Sequence, residues 1–196
     1  MRFSQCIHDV LLRLGKRSLL RCLWEQRTRR PLVFEIGKSE QRLIINASVL
    51  KHFMKHRQRD DDSLEAGGQL FARFSKENVT ISKITGPRVA DRRSRYSYVP
   101  NRPEEQAEIY EMHRKGFHFV GDWHTHPEPV PTPSQSDIRT INEAVAKSQH
   151  HLHGFIMIVV GSGSFPASLH VSLNTANSHL RLVPGPNVPP DSWVLA

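Results

Sequence analysis

An α/β fold, one mixed and curved β-sheet with two or three helices on its faces, is what this sequence predicts. Three observations predict it. Short runs of alternating or purely apolar residues, such as NVTISKI (78–84) and GFIMIVV (154–160), are interleaved with segments whose apolar residues recur at helical spacing. Strand and helix signals alternate along the chain instead of segregating into halves. A length of 196 residues, 38% of them hydrophobic, suits one globular domain with room for extensions.

The elements follow in order. PLVFEI (31–36) and QRLIINA (41–47) read as two strands of a hairpin, with Gly37, Lys38 and Ser39 between them. Asn46 can cap a helix in which Val49, Leu50, Phe53 and Met54 repeat at helical spacing. An acidic loop at 60–62 leads to a strand across 68–74. NVTISKI pairs with that strand through a turn at Lys76 and Glu77. Residues 85–101 carry Arg88, Arg92, Arg93 and Arg95 with little periodicity and read as a surface loop. A second helix starts near Pro103, which suits a first helical position, and ends at Gly116. FHFVGDWH (117–124) is a strand, Ser134 begins a helix reaching Ser148, and GFIMIVV is a central strand. Gly161 to Gly163 turn the chain so that SLHVSL (168–173) pairs back. The last 20 residues, with Pro184, Pro186, Pro189 and Pro190, read as an irregular tail with one short strand at most. The organisation is thus a basic extension (1–30), a domain (31–176) and a Pro-rich tail (177–196).

Charge narrows the function classes. The net charge of +8 suggests nucleic acid or a membrane surface until it is located. Residues 1–30 hold eight Lys/Arg against Asp9 and Glu25, whereas the other 166 residues carry 19 basic and 17 acidic side chains. The body of the chain is nearly balanced, so nucleic-acid binding through the core is not expected. Residues 1–30 read either as a basic, partly helical arm that docks a partner or touches phosphates, or as a loosely ordered solvated segment. No apolar run approaches the roughly 20 residues that span a bilayer. Cys6 and Cys22 make no disulfide framework, and Asp9, Arg13, Lys16 and Arg17 interrupt any secretory apolar core. A reducing, cytoplasmic setting is expected.

The chemistry concentrates in GDWHTHPEPVPTPSQSD, residues 121–137. In a strand, residues i and i+2 point to one side, so His124 and His126 can present two imidazoles to one metal ion. Pro127, Pro129, Pro131 and Pro133 stiffen the connection that follows. Asp137, in the first turn of the next helix, can then swing back as a third ligand. Two histidines, one carboxylate and an open fourth position suit a catalytic zinc ion with its water. Other readings of the same pieces exist. His151-Leu-His153 has the same spacing without Ser-x-x-Asp behind it and reads as solvated loop. Ser134-x-x-Asp137 alone fits a helix cap. His52 and His56 have zincin spacing, but Phe53 stands where HExxH needs glutamate, so the pair reads as helix surface. Asp122 reads as out of phase with the histidines and is assigned to structure.

HTHPEPVPTPSQSD resembles the JAMM motif of the JAB/MPN metalloproteases, His-x-His-Pro followed by Ser-x-x-Asp. Glu65-Ala-Gly67-Gly68-Gln-Leu70 stands where that family carries an upstream glutamate, and the two glycines would let the strand run close beside the metal. The resemblance covers about residues 35–175 and implies a cytidine-deaminase-like JAB/MPN domain. It makes His124, His126 and Asp137 zinc ligands. It also makes Glu65 the general base and acid, and Ser134 the donor to the oxyanion or the group that holds the water in place. The wording GDWHTHP, EAGGQL and HGFIMIVVGSG is most similar to a bacterial subgroup that includes the isopeptidase of CBASS antiviral operons. That likeness implies cleavage of the amide after the C-terminus of a conjugated CD-NTase, whose extended tail would lie in a groove leading to the zinc; loop 85–101 either borders that groove or is solvated. An E1–E2-like enzyme would be the conjugation partner. A peptidase processing a ubiquitin-like or sulfur-carrier protein is the second reading, and a metal-free scaffold with a basic arm the third. A zinc deaminase is excluded, since no cysteine follows Cys22 and PCxxC is needed.

Overall fold

The computed structural model describes residues 30–185, so the basic extension and most of the Pro-rich tail lie outside the described residues. Nine strands form one mixed sheet, in the order β10-β9-β8-β7-β3-β4-β2-β1-β11. The elements in chain order begin with β1 (Leu32–Glu35), β2 (Arg42–Ile45), α1 (Ala47–His56), β3 (Gly67–Phe74) and β4 (Asn78–Ile84). A separate hairpin, β5 (Arg92–Ser94) and β6 (Ser97–Val99), precedes α2 (Arg102–Arg114) and β7 (His118–Thr125). The chain ends with α3 (Gln135–Lys147), β8 (Phe155–Val160), β9 (Leu169–Asn174), β10 (His179–Arg181) and β11 (Val183–Pro184). Antiparallel pairing dominates. The two exceptions are β2 with β4 and β7 with β8, each joined through intervening elements.

The run GFIMIVV is apolar at every position because both faces of β8 are covered. Ile156, Ile158 and Val160 join the core under α1 with Leu50, Phe53, Leu70 and Trp123. Phe155, Met157 and Val159 meet Ile141 and Val145 of α3 on the opposite face. β8 lies between β9 and β7, and β3 holds the middle of the sheet. α1 matches its predicted pattern, with Val49, Leu50 and Phe53 buried. Asn46 sits at its cap position without a side-chain cap bond.

β7 is bent where it passes β3. Leu70 pairs with Gly121 and Phe71 with Phe119, leaving Val120 as the extra residue. Gly121 has φ +139°, and a Cβ there would lie 1.9 Å from the Ile156 carbonyl oxygen. Only glycine fits this bend, which sets the direction of the last strand residues leading to His124.

Four expectations change. Residues 85–101 are not a simple surface loop: they contain the β5–β6 hairpin, and the Arg88 side chain is buried. Its guanidinium bonds Glu108 (Nε to Oε1 3.0 Å), the Tyr98 hydroxyl (3.2 Å) and Thr85 Oγ1 (3.3 Å), tying this segment to α2. Three-residue strands of Arg, Ser and Tyr give no alternation for a sequence reading to find. Residues 177–185 hold two short strands where one at most was expected, β10 pairing with β9 and β11 with β1. His52 and His56 are half-buried instead of surface residues. Their rings pack against Trp123 at 5.3 and 6.2 Å. Finally, Pro103 follows Arg102 as the second helical residue of α2, with Asn101 capping the Glu104 amide.

Among the described residues no helix is long and apolar enough to cross a membrane. Phe53 is fully buried, its ring 5.3 Å from that of Trp123. Phe53→Ala should therefore cost about 3–5 kcal/mol in urea unfolding; a loss below about 1 kcal/mol would show that α1 does not seal this core.

Candidate metal centre

β7 delivers the two histidines. His124 is its penultimate residue, opposite Val159 on β8 and Gly67 on β3. His126 lies just past the strand end, its amide donating to the Val160 carbonyl (2.9 Å). Their ring centroids are 4.9 Å apart. The first turn of α3 returns Asp137 to them, with Oδ2 lying 3.5 Å from Nε2 of each histidine. The same oxygen accepts the Ser134 amide and the Ser134 hydroxyl, both at 2.7 Å. In return Ser134 Oγ accepts the Asp137 amide (3.2 Å), completing a capping box. One motif therefore starts the helix and fixes the rotamer of its acid.

The proline linker is stiff for a reason additional to its composition. Ser162 donates its amide to Glu128 O (2.9 Å) and its hydroxyl to Pro127 O (3.0 Å), while the Gly163 amide reaches Pro129 O (3.2 Å). The Gly161–Gly163 turn after β8 is thus a dock for residues 127–129 as well as a reversal. Its glycines are the signal that the sequence reading assigned to chain reversal alone.

Glu65 comes from the segment before β3. The β3–β7 register sets Gly67 opposite His124, so two residues earlier Glu65 falls level with His126. It is 8% exposed, and ligand atoms of Glu65, His124 and His126 all lie within 4.8 Å of one another. Its backbone is clamped by the β5–β6 hairpin. The Glu65 amide donates to Ser94 O (2.7 Å), and Arg93 donates to Glu65 O (2.5 Å) and Leu64 O (3.1 Å). The next residue is held too, Ala66 donating to Thr125 Oγ1 (2.9 Å), which donates to the buried Gln58 side chain (3.1 Å). Arg93, Thr125 and Gln58 carry no motif and were not singled out by sequence.

The five predicted site residues thus converge in space, whereas neither His151–His153 nor His52–His56 joins a metal-sized cluster among the described residues. The two glycines after Glu65 have a different role from the expected one. A Cβ on Gly68 would lie 2.1 Å from Thr85 O, and one on Gly67 would lie 2.5 Å from the Tyr98 ring. They admit the 85–86 segment and Tyr98 against the strand; His52, 2.7 Å from Gly86 O, holds that segment from the other side. Asp122 needs correction as well. It differs from His124 by two, so both point to the α3 face, opposite Met157 and Val159 respectively. Asp122 lines the same cleft, of about 270 Å³, as Glu65, His124 and Asp137.

The site's electrostatics separate its two acids. Burial would raise Asp137, but the facing His124 and His126 rings and the hydrogen bonds from Ser134 outweigh it and hold the group far below the usual carboxylate range. Burial would lower His126, but Asp137 overrides it and the ring is raised. Glu65 is raised by burial, only partly offset by the two histidines. Asp122 is pushed up to about 7 by burial, with Glu105 adding to the shift. His124 Nε2 is buried without a properly directed hydrogen-bond partner. Glu65, His124 and His126 bring ligand atoms within 4.8 Å of one another, and Asp137 Oδ2 faces both histidines, a donor set that fits a divalent cation.

The chain is similar to known proteins in sequence and in fold. The model of a family described as prokaryotic homologs of the JAB domain matches residues 46–173. A protein named CD-NTase/cGAS isopeptidase from Escherichia coli is 28% identical over 133 residues, covering 66% of this chain and 82% of the relative. One of the same name from Pseudomonas aeruginosa is 34% identical over 108 residues, covering 54% and 68%. A Sinorhizobium fredii protein named "Probable metalloprotease" is 32% identical over 124 residues, covering 61% and 75%. In fold, the chain is similar to the solution structure of a Desulfitobacterium hafniense protein (TM-score 0.51, 16% identity, 70% of this chain and 87% of that one).

The clamp on Glu65 is measurable without any activity. Arg93→Ala should speed hydrogen exchange of the Glu65 amide at least about tenfold while leaving α1 amides unchanged, because opening there becomes local. Equal exchange in both proteins would show that Ser94 pairing alone suffices.

Proposed function

The chain belongs to the family of prokaryotic JAB-domain homologs, and from that premise we propose that it is a zinc-dependent isopeptidase. The observation that carries this reading is the convergence of Glu65 on the two histidines that also face Asp137. Names of the E. coli and P. aeruginosa relatives support the substrate class, a protein joined through its C-terminal carboxyl group to an amine. We assign this chain the removal of a conjugated CD-NTase in a bacterial cytoplasmic antiviral system. An E1–E2-like enzyme would make the bond that this one breaks.

In this reading His124, His126 and Asp137 would hold the ion. When bound, zinc supplies Lewis acidity that polarises the scissile carbonyl and makes a water more acidic. Glu65, buried and raised, takes the proton of the attacking water and returns it to the departing amine. Asp137 stays ionised through this exchange because its neighbours favour the charged form. Ser134 swings its hydroxyl from Asp137 toward the carbonyl oxygen and donates to the developing oxyanion. The capping box keeps the Ser134 backbone fixed during that motion. The cleft beside Glu65 takes the extended end of the substrate, and Tyr98 and Val99 of the hairpin form part of its wall.

Two variants test the roles separately. Glu65→Gln should retain one zinc per chain yet lose at least about 10²-fold in cleavage of a CD-NTase fused at its C-terminus to a reporter. His126→Ala should lose the metal itself, read by elemental analysis. Unaltered cleavage in the first variant, or full zinc in the second, would overturn the assignment. Cleavage of a ubiquitin-like fusion in place of the CD-NTase fusion would redirect the substrate.

A further inference from the structure

Asp122 carries a carboxyl group that the chemistry above leaves unused. It lies two residues before His124 on the same strand face, about 7 Å along β7. It opens onto the cleft, yet its carboxylate accepts no hydrogen bond from any described residue. The cations nearest to it, Arg102 of the cleft lining and Arg88, are bonded to other acids. Arg102 bonds Glu105 (2.9 Å), and Arg88 is shared among Glu108, Glu105, Asp91 and Tyr98. Glu105 itself lines the cleft and adds further negative charge beside Asp122.

A second acceptor on that face is also unmet. Gln69, cross-strand partner of Asp122, is 3% exposed, and its buried Oε1 has no donor. Gln69 is not among the residues lining the cleft, so a donor brought by a ligand goes to Asp122, whose carboxylate opens onto it. The apolar part of the cleft lining includes Val99, Ile141 and Met157. An apolar passage ending on a carboxylate matches a long methylene stem with a cationic head.

We propose that this cleft receives a lysine or arginine side chain from one of the last two residues of the substrate's conjugated tail. The charge rests on Asp122, and the stem lies between Val99, Ile141 and Met157. Asp122 is then a specificity-determining residue, distinct from the groups that hold metal or move protons. The inference rests on the reading that a tail's terminal carbonyl sits at the metal centre. Its geometric reach follows from the spacing of Asp122 and His124, which matches an extended tail's own residue spacing to within about one residue.

Binding tests it independently of cleavage. Fluorescent tail peptides of eight residues would be titrated into the zinc-loaded Glu65→Gln protein, with each of the last two residues varied as Lys, Arg, Ala or Glu. Tails with Lys or Arg at one of these positions should bind at least about tenfold tighter than the Ala or Glu tails, as expected for a desolvated charge pair. Adding Asp122→Asn or Asp122→Ser should bring that preference to within about twofold, with zinc content unchanged. The proposal is overturned if no tail binds, if basic tails show no advantage, or if the advantage survives in both Asp122 variants. A wild-type protein that binds basic tails but cleaves none would sink the hydrolytic reading and leave the cleft assignment standing.

Discussion

The parallel pairing of β7 with β8 is the constraint from which the site's geometry follows, because parallel neighbours cannot be joined by a tight turn. The chain must leave the carboxyl end of β7, cross over one face through α3 and re-enter β8 at its start. The end of β7 therefore lies beside the end of β8, with Thr125 opposite Val160. Residues 127–129 settle onto the Gly161–Gly163 turn that follows β8, and the first turn of α3 is brought over His124 and His126. Sites in α/β proteins gather outside the carboxyl ends of parallel strands for this reason. Here the crossover itself carries a ligating candidate on its first helical turn.

Two carboxyl groups share this space and are tuned in opposite directions by what surrounds them. Asp137 receives two hydrogen bonds from Ser134 and faces two imidazoles, so its charged form is favoured despite burial. Glu65 sits under the hairpin, where desolvation outweighs the attraction of those imidazoles. One acid is thereby kept charged beside the histidines, and the other has its neutral form favoured. Separation of paired acids by environment is the general basis for dividing their roles.

How much of this was legible in the sequence depended on how far apart the cooperating residues stand. His124, His126, Ser134 and Asp137 lie within fourteen positions, and strand parity plus a capping box describe their meeting. β8 was legible for a similar reason: an unbroken apolar run states that both faces are covered. Glu65 was locatable only by likeness to a family, since its place beside His126 comes from β3–β7 pairing across some sixty residues. Arg88, Arg93, Gln58 and Thr125 were opaque. Their partners are backbone carbonyls, or side chains on other elements, and such contacts leave no periodic trace. Asp122 was a different kind of failure, because its parity with His124 was present in the sequence and misread.

The β5–β6 hairpin ties these parts together. One of its strands holds the Glu65 backbone through Ser94 and Arg93, and its other strand contributes Tyr98 and Val99 to the cleft wall. Tyr98 also packs where Gly67 leaves room beside β3, and its hydroxyl joins Asp91 and Arg88. Glu65 is therefore anchored to the same two short strands that a bound chain in the cleft would touch. Gly67 and Gly68 complete the arrangement by letting Tyr98 and residues 85–86 approach the strand that starts two residues after Glu65. A segment that looked like an arginine-bearing surface loop is, physically, the mount for the candidate base.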